Sequence, residues 1–204
     1  MSKKTAVVLF QLGGPDSLKA VEPFLYNLFC DPDIIDIPGA FLFRKTLARI
    51  ISSRRAPKVQ KLYEKIGGGS PILVQTELQA RRLKESLAKQ GLAAEVYIAM
   101  RYWHPMTKEV VDRLQREKVD EVVLLPLYPH FSKVSTGSSM NEWKKNVALS
   151  NANHFSTKLV ESYCDHPLYI AALVENIARA LERVPREERK NVHLVFSAHG
   201  TPLK

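Results

Sequence analysis

The sequence predicts an α/β fold, a parallel sheet flanked by helices, and three observations carry that expectation. Short β-branched and apolar runs recur along the chain, helical stretches lie between them, and the composition is that of a protein with a buried core. Strands alternating with helices form βαβ units, whose crossovers make the strands parallel and cover both faces of the sheet. At 204 residues, 45% hydrophobic and 25% charged, the chain has globular rather than disordered composition.

The elements follow in order. Thr5 to Gln11 is a short apolar run stopped by Gly13, Gly14 and Pro15, which reads as a buried strand. Asp16 or Ser17 is suited to cap a helix reaching about Phe29. The clearest helix spans Ser70 to Gln90: Ser70 caps it, Pro71 suits its first position, and Leu73, Leu78, Leu83 and Leu87 supply a stripe before Gly91 ends it. Ala94 to Met100 and Asp120 to Leu125 repeat the strand pattern, and Lys158 to Glu161 follows as a fourth strand. A helix begins near Asp165 to Pro167 and runs to about Arg183, and Val192 to Ser197 is a fifth strand.

That last strand has no successor. The expected organisation is therefore a first α/β domain over residues 1–184, a charged linker at 185–191, and the opening of a second domain at 192–204. The chain is expected to be the front part of a longer two-domain protein. A five-stranded single domain is the alternative.

No apolar run approaches the roughly 18 residues of a spanning helix, and Met1-Ser2-Lys3-Lys4 leads straight into a strand, so a soluble, cytoplasmic protein is expected. Cys30 and Cys164 lack metal-ligand spacing and read as reduced thiols. A net charge of +9 favours an anionic partner: nucleic acid, a membrane surface or an acidic small molecule. No basic-aromatic RNA signature or helix-turn-helix pattern is present, so nucleic acid is not expected. The apolar stretch from Ile34 to Phe43 passes into Arg44, Lys45, Arg49, Arg54, Arg55 and Lys58. That pairing suits a flat apolar ligand with carboxylate arms, an anionic membrane interface, or an amphipathic helix with a solvated face.

In open parallel sheets ligands sit beyond the carboxyl ends of the strands. The residues found there are Gln11 to Pro15, Arg101 to His104, Tyr128 to Ser132, and Ala198-His199-Gly200. His199, between two small residues, would hold an exposed imidazole fit to take a proton or ligate a metal; a histidine that merely bonds a backbone carbonyl is the plain alternative. His104 and His130 are its rivals, and no histidine or cysteine pair has zinc-site spacing. Gly13-Gly14 and Gly67-Gly68-Gly69 match no phosphate-loop pattern, so their expected role is conformational.

Taken together, Gln11-Leu12-Gly13-Gly14-Pro15-Asp16, Asp31-Pro32-Asp33-Ile34-Ile35, Arg54-Arg55-Ala56-Pro57-Lys58, Ile66-Gly67-Gly68-Gly69-Ser70-Pro71, Met100-Arg101-Tyr102, Leu125-Pro126-Leu127-Tyr128-Pro129, Ser135-Thr136-Gly137-Ser138-Ser139 and Phe196-Ser197-Ala198-His199-Gly200 resemble ferrochelatase. The resemblance implies a Rossmann-like, chelatase-like fold of two similar domains with a porphyrin cleft between them, the second domain only begun here. It implies a lyase-type chelatase that inserts ferrous iron into protoporphyrin IX to form haem. His199 would be the catalytic base and metal ligand. Leu12 would lie on the distal face of the ring, Arg55 would meet a propionate, and Tyr63, Ser70, Arg101, Tyr102 and Tyr128 would complete the substrate contacts.

By the same resemblance iron is a substrate and no tightly bound cofactor is expected. Lys133 stands where animal-type relatives carry an iron–sulfur cysteine, so no cluster is expected. The family's acidic partner of the histidine has no counterpart among these residues, which puts turnover by this chain alone in question. A non-catalytic tetrapyrrole-binding module, or a chelatase for coproporphyrin or sirohydrochlorin, is the alternative. The apolar and basic lip suits peripheral membrane contact.

Overall fold

A computed structural model describes residues 3–35, 42–152 and 154–197. Strands β1 (Thr5–Gln11), β2 (Ala94–Met100), β3 (Glu121–Pro126) and β4 (Ser156–Leu159) form one sheet in the order β2-β1-β3-β4, every pair parallel. The expected α/β class is what the structure has.

β1 lies at the centre, and the period of two along a strand divides its apolar run between two cores. Ala6, Val8 and Phe10 face α4 (Thr107–Arg116) and α5 (Ser138–Leu149), packing with Val110, Val111, Leu114 and Trp143. Val7 and Leu9 face α3 (Ile72–Lys89), meeting Ala80, Leu83 and Leu87. Burial on both faces is why the strand reads as a continuous apolar run rather than an alternating one.

A third core joins α1 (Val21–Phe29) to α2 (Arg44–Glu64). Val21, Leu25 and Phe29 repeat every four residues on α1, and Ala48, Ser52 and Ala56 repeat every four on α2, so each helix presents one face to the other. The α2 seam is made of small residues, which lets the two backbones approach closely. The remaining surface of α2 carries seven Lys and Arg against the single acid Glu64.

Several boundaries differ from expectation. The first helix opens with a 3-10 turn at Leu18–Ala20, and Ser17 makes no side-chain capping bond. The helix expected from Ser70 is assigned from Ile72, although the Ser70 hydroxyl does accept the Ile72 N–H at 3.3 Å. β4 begins two residues before the expected Lys158, because its register pairs Glu121 with Ser156. As an edge strand with exposed residues it needs no apolar alternation, so its apolar content marks it only weakly.

The chain divides into two compact units, Met1–Glu161 and Ser162–Lys204. The helix expected within a first domain of residues 1–184 therefore belongs to the second unit, as α6 (Pro167–Leu181), with the His166 Nδ1 accepting the Leu168 N–H at 3.2 Å. The strand expected at Val192–Ser197 is corrected: these residues are unpaired coil, with Val195 88% exposed. An apolar run becomes a strand only where a neighbour supplies the hydrogen-bond ladder, and no described strand does so here. Among the described residues, no helix is long and apolar enough to cross a membrane.

Candidate functional site at the strand ends

In the order β2-β1-β3-β4 the chain runs from β1 to β2 on one side, then returns to β3 on the other. The point of reversal lies between β1 and β3, and the crevice beyond it is where an open parallel sheet binds ligands. Leu12 follows β1 and Tyr128 follows β3, so two of the expected substrate residues flank that point.

Two glycine motifs, far apart in sequence, interlock there. The Ser70 N–H donates to the Pro15 carbonyl at 2.7 Å. A Cβ on Gly14 would lie 2.6 Å from the Ser70 side chain, and one on Gly69 would lie 2.5 Å from the Asp16 carbonyl oxygen, so neither position accepts a larger residue without movement. Gly13 has φ +81°, a left-handed conformation that favours glycine. The expected conformational role of these glycines thus has a physical form: they let the loop before α3 sit directly on the loop after β1.

The interlock extends to the helix pair. The Gly68 N–H donates to the Tyr63 carbonyl at 2.8 Å, and the Gln60 amide donates to the Leu18 carbonyl at 3.0 Å. Tyr63 is half-buried against the α1–α2 core, and burial raises its pKa. Arg55 lies eight residues earlier on α2, about 12 Å back along the axis. Its side chain is exposed, the guanidinium carbon 5.6 Å from the Phe29 ring centroid, and no described acid pairs with it. The loop that carries Leu12 is thereby held against the loop that carries Ser70 and follows Tyr63, whereas Tyr128 packs into the core beneath α4 and α5. The Tyr128 hydroxyl lies 3.4 Å from the Ser139 hydroxyl, and burial raises its pKa.

Arg101 and Tyr102 are arranged differently. The backbone carries them along β1, with the Arg101 N–H donating to the Gln11 carbonyl at 2.9 Å and the Tyr102 N–H to the Leu12 carbonyl at 3.0 Å. Their side chains turn away into a buried network. The Tyr102 hydroxyl donates to Asp31 at 2.6 Å, Arg101 Nη2 lies 2.9 Å from the same carboxylate oxygen, and Arg101 Nε donates to the Ser138 hydroxyl at 2.7 Å. Tyr102 is 0% exposed, which corrects the expectation that it lines the site: no part of its ring is available to a ligand. Arg101 borders a cavity of about 670 Å³ together with Cys30, Asp31, Thr107, Asn141 and Glu142. Leu12, Ser70 and Tyr128 do not line that cavity.

Desolvation would raise the Asp31 pKa, but hydrogen bonds from Ser138 and Tyr102 and the Arg101 charge outweigh it and hold the carboxyl below its usual range. Burial and Asp31 together push the Tyr102 hydroxyl well above the ordinary tyrosine range. Sequence reasoning missed Asp31, Ser138 and Glu142 as members of a site. Asp31 and Ser138 did stand inside quoted motifs, but nothing local signals that residues 107 apart share a hydrogen bond.

His199 lies outside the described residues. Of its rivals, His104 is exposed with Nδ1 2.6 Å from Glu109, and His130 is exposed. Among the described residues, no group of three or more His, Cys, Asp or Glu is placed to hold a metal ion.

The sequence profile of ferrochelatases matches residues 4–204. The chain belongs to the ferrochelatase family. It is 47% identical to the ferrochelatase of Aquifex aeolicus over 201 residues, 98% of this chain and 61% of that protein. It is similarly 47% identical to the ferrochelatase of Geotalea daltonii, again over 61% of that protein, and 44% identical to that of Synechocystis over 51%. The chain therefore spans about half to three-fifths of the length of these ferrochelatases.

Proposed function

We propose that this chain forms the porphyrin-holding part of a ferrochelatase, a lyase-type chelatase that inserts ferrous iron into protoporphyrin IX as the last step of haem biosynthesis. The observation that carries the reading is the interlock of the two glycine loops. It packs the loop after β1, which carries Leu12, against the loop between α2 and α3, which carries Ser70 and follows Tyr63, and this supports reading the three as parts of one binding surface. A porphyrin needs an apolar face with cationic groups at its edge. Leu12 supplies the first, and the Arg55 guanidinium is suited to a charge-assisted bond with a propionate.

Metal insertion removes two pyrrole N–H protons as one divalent cation enters, so charge balances when both protons leave. His199, as a neutral imidazole, is the base that takes them in turn and passes them to solvent. A surface that holds the macrocycle bent exposes its nitrogen lone pairs and is complementary to the transition state rather than to the flat substrate. Ferrous iron is substrate here, and no resident cofactor or iron–sulfur cluster is part of the reading. Exposed Leu42 and Phe43 beside the cations of α2 are suited to peripheral contact with an anionic membrane, for an otherwise cytoplasmic protein.

The test is anaerobic mixing of the chain with protoporphyrin and ferrous iron or zinc, followed by visible absorbance. Porphyrin binding, with or without catalysed conversion to the metalloporphyrin, is the expected result, and conversion would place a complete catalytic site in this chain. No binding would reject the reading.

A further inference from the structure

The carboxylate of Asp31 has no part in the reaction above, yet it is the most heavily engaged group at the strand ends. Its side chain has no exposed surface. One oxygen accepts from the Tyr102 hydroxyl, the Arg101 guanidinium and the Ser138 hydroxyl, and the other accepts the Asp33 N–H at 2.8 Å. Those partners belong to separate elements. Asp31 closes the turn after α1, Arg101 and Tyr102 follow β2, and Ser138 opens α5.

The same junction is fastened twice more. The Asn27 amide of α1 donates to the Tyr102 carbonyl at 3.1 Å, and the Asn141 amide of α5 donates to Asp33 at 2.8 Å. The end of α1, against which α2 packs, is therefore tied to the end of β2 and the start of α5 with Asp31 at the centre.

Arg101 is held through all three of its nitrogens and its ring neighbour. Nη2 meets Asp31, Nε donates to Ser138, Nη1 lies 3.7 Å from Glu142, and the guanidinium carbon sits 4.9 Å from the Tyr102 ring centroid. Only 13% of its side chain is exposed. A guanidinium whose charge is already met by two carboxylates, one of them at 2.9 Å, has less to offer a third.

We infer that Asp31 is the positioning residue of this site: it latches the α1–α2 pair to the ends of β2 and α5 and takes up the charge of Arg101. Arg101 then shapes the wall of its cavity instead of binding a substrate carboxylate. The inference rests on the porphyrin reading only for what that carboxylate would be, a propionate.

The test follows the Arg101 Nε–H signal by NMR of the 204-residue chain while sodium propionate is added as the probe. In the wild type the signal is expected to exchange slowly and to stay unmoved by propionate. In Asp31→Asn it is expected to broaden and to shift with propionate, because the guanidinium loses its closest carboxylate and keeps only Glu142 at 3.7 Å, and Asp31→Glu restores part of the wild-type behaviour. Tyr102→Phe removes one hydrogen bond but keeps the ion pair, so it stays unresponsive and serves if Asp31→Asn fails to fold. A wild-type signal that moves with propionate, an Asp31→Asn signal that stays sharp and unmoved, or a responsive Tyr102→Phe would overturn the inference. Protoporphyrin titration of the same samples separates the two readings: a wild type that binds none rejects the porphyrin site, while the latch is decided by the Arg101 signal alone.

Discussion

Arg55 and Arg101 carry the same guanidinium into opposite surroundings. On α2, Arg55 is exposed on a helix with seven cations and one acid, and no described acid pairs with it. At the end of β2, Arg101 is nearly enclosed, with Asp31 and Glu142 beside it. The difference separates an arginine that is open to solvent from one that is part of the scaffold. The charge of the first arginine meets no described acid, and that of the second is committed to contacts that tie three elements together.

The comparison breaks most visibly in stability. Arg101→Leu leaves the Asp31 carboxylate buried without its cation, a loss expected to cost about 3–5 kcal/mol. Arg55→Leu removes an exposed charge and is expected to change stability by about 0.5 kcal/mol or less. Urea unfolding of the two variants measures both, and equal losses would erase the distinction.

A smaller effect, sharper in origin, is the pH dependence of that latch. The folded-state pKa of Asp31 is depressed below its unfolded value of about 4. Its contribution is therefore present above that value and is lost as pH falls through the folded one, since between the two only the unfolded chain takes up the proton. Tyr102 runs the other way: its folded-state pKa is raised, so its contribution is present below the unfolded value of about 10 and is lost as pH rises further. Asp112, Glu117 and Glu121 are also depressed by ion pairs and hydrogen bonds and share the acid limb. Urea unfolding across the acid range should therefore show a shallower fall in Asp31→Asn than in the wild type; an unchanged slope would mean that Asp31 carries no linkage.

What was legible in the sequence follows the same division. β1 and β3 announce themselves because each lies between two strands, and β2, though an edge, buries Tyr97, Ala99 and Met100, whereas β4, an edge with three exposed residues of four, carries little apolar signal. Val192 to Ser197 has strand composition but no partner strand among the described residues, and composition alone does not supply a ladder. The glycine motifs were readable as conformational, yet their fit against each other needed coordinates, because Gly14 and Ser70 are distant along the chain. The backbone of Tyr102 lies beside the loop after β1, as the resemblance implies, and only packing reveals that its hydroxyl points to Asp31.

The measurement closest to the central claim is a protoporphyrin titration of the chain, followed by fluorescence, for the wild type, Arg55→Gln and Lys89→Gln. The two substitutions remove the same charge, one from α2 and one from the far end of α3. Binding that weakens about tenfold in Arg55→Gln, the worth of roughly 1.4 kcal/mol, and stays near wild type in Lys89→Gln is the result expected of a propionate contact on α2. Equal weakening in both would show attraction to net charge alone, and no binding by the wild type would contradict the account outright.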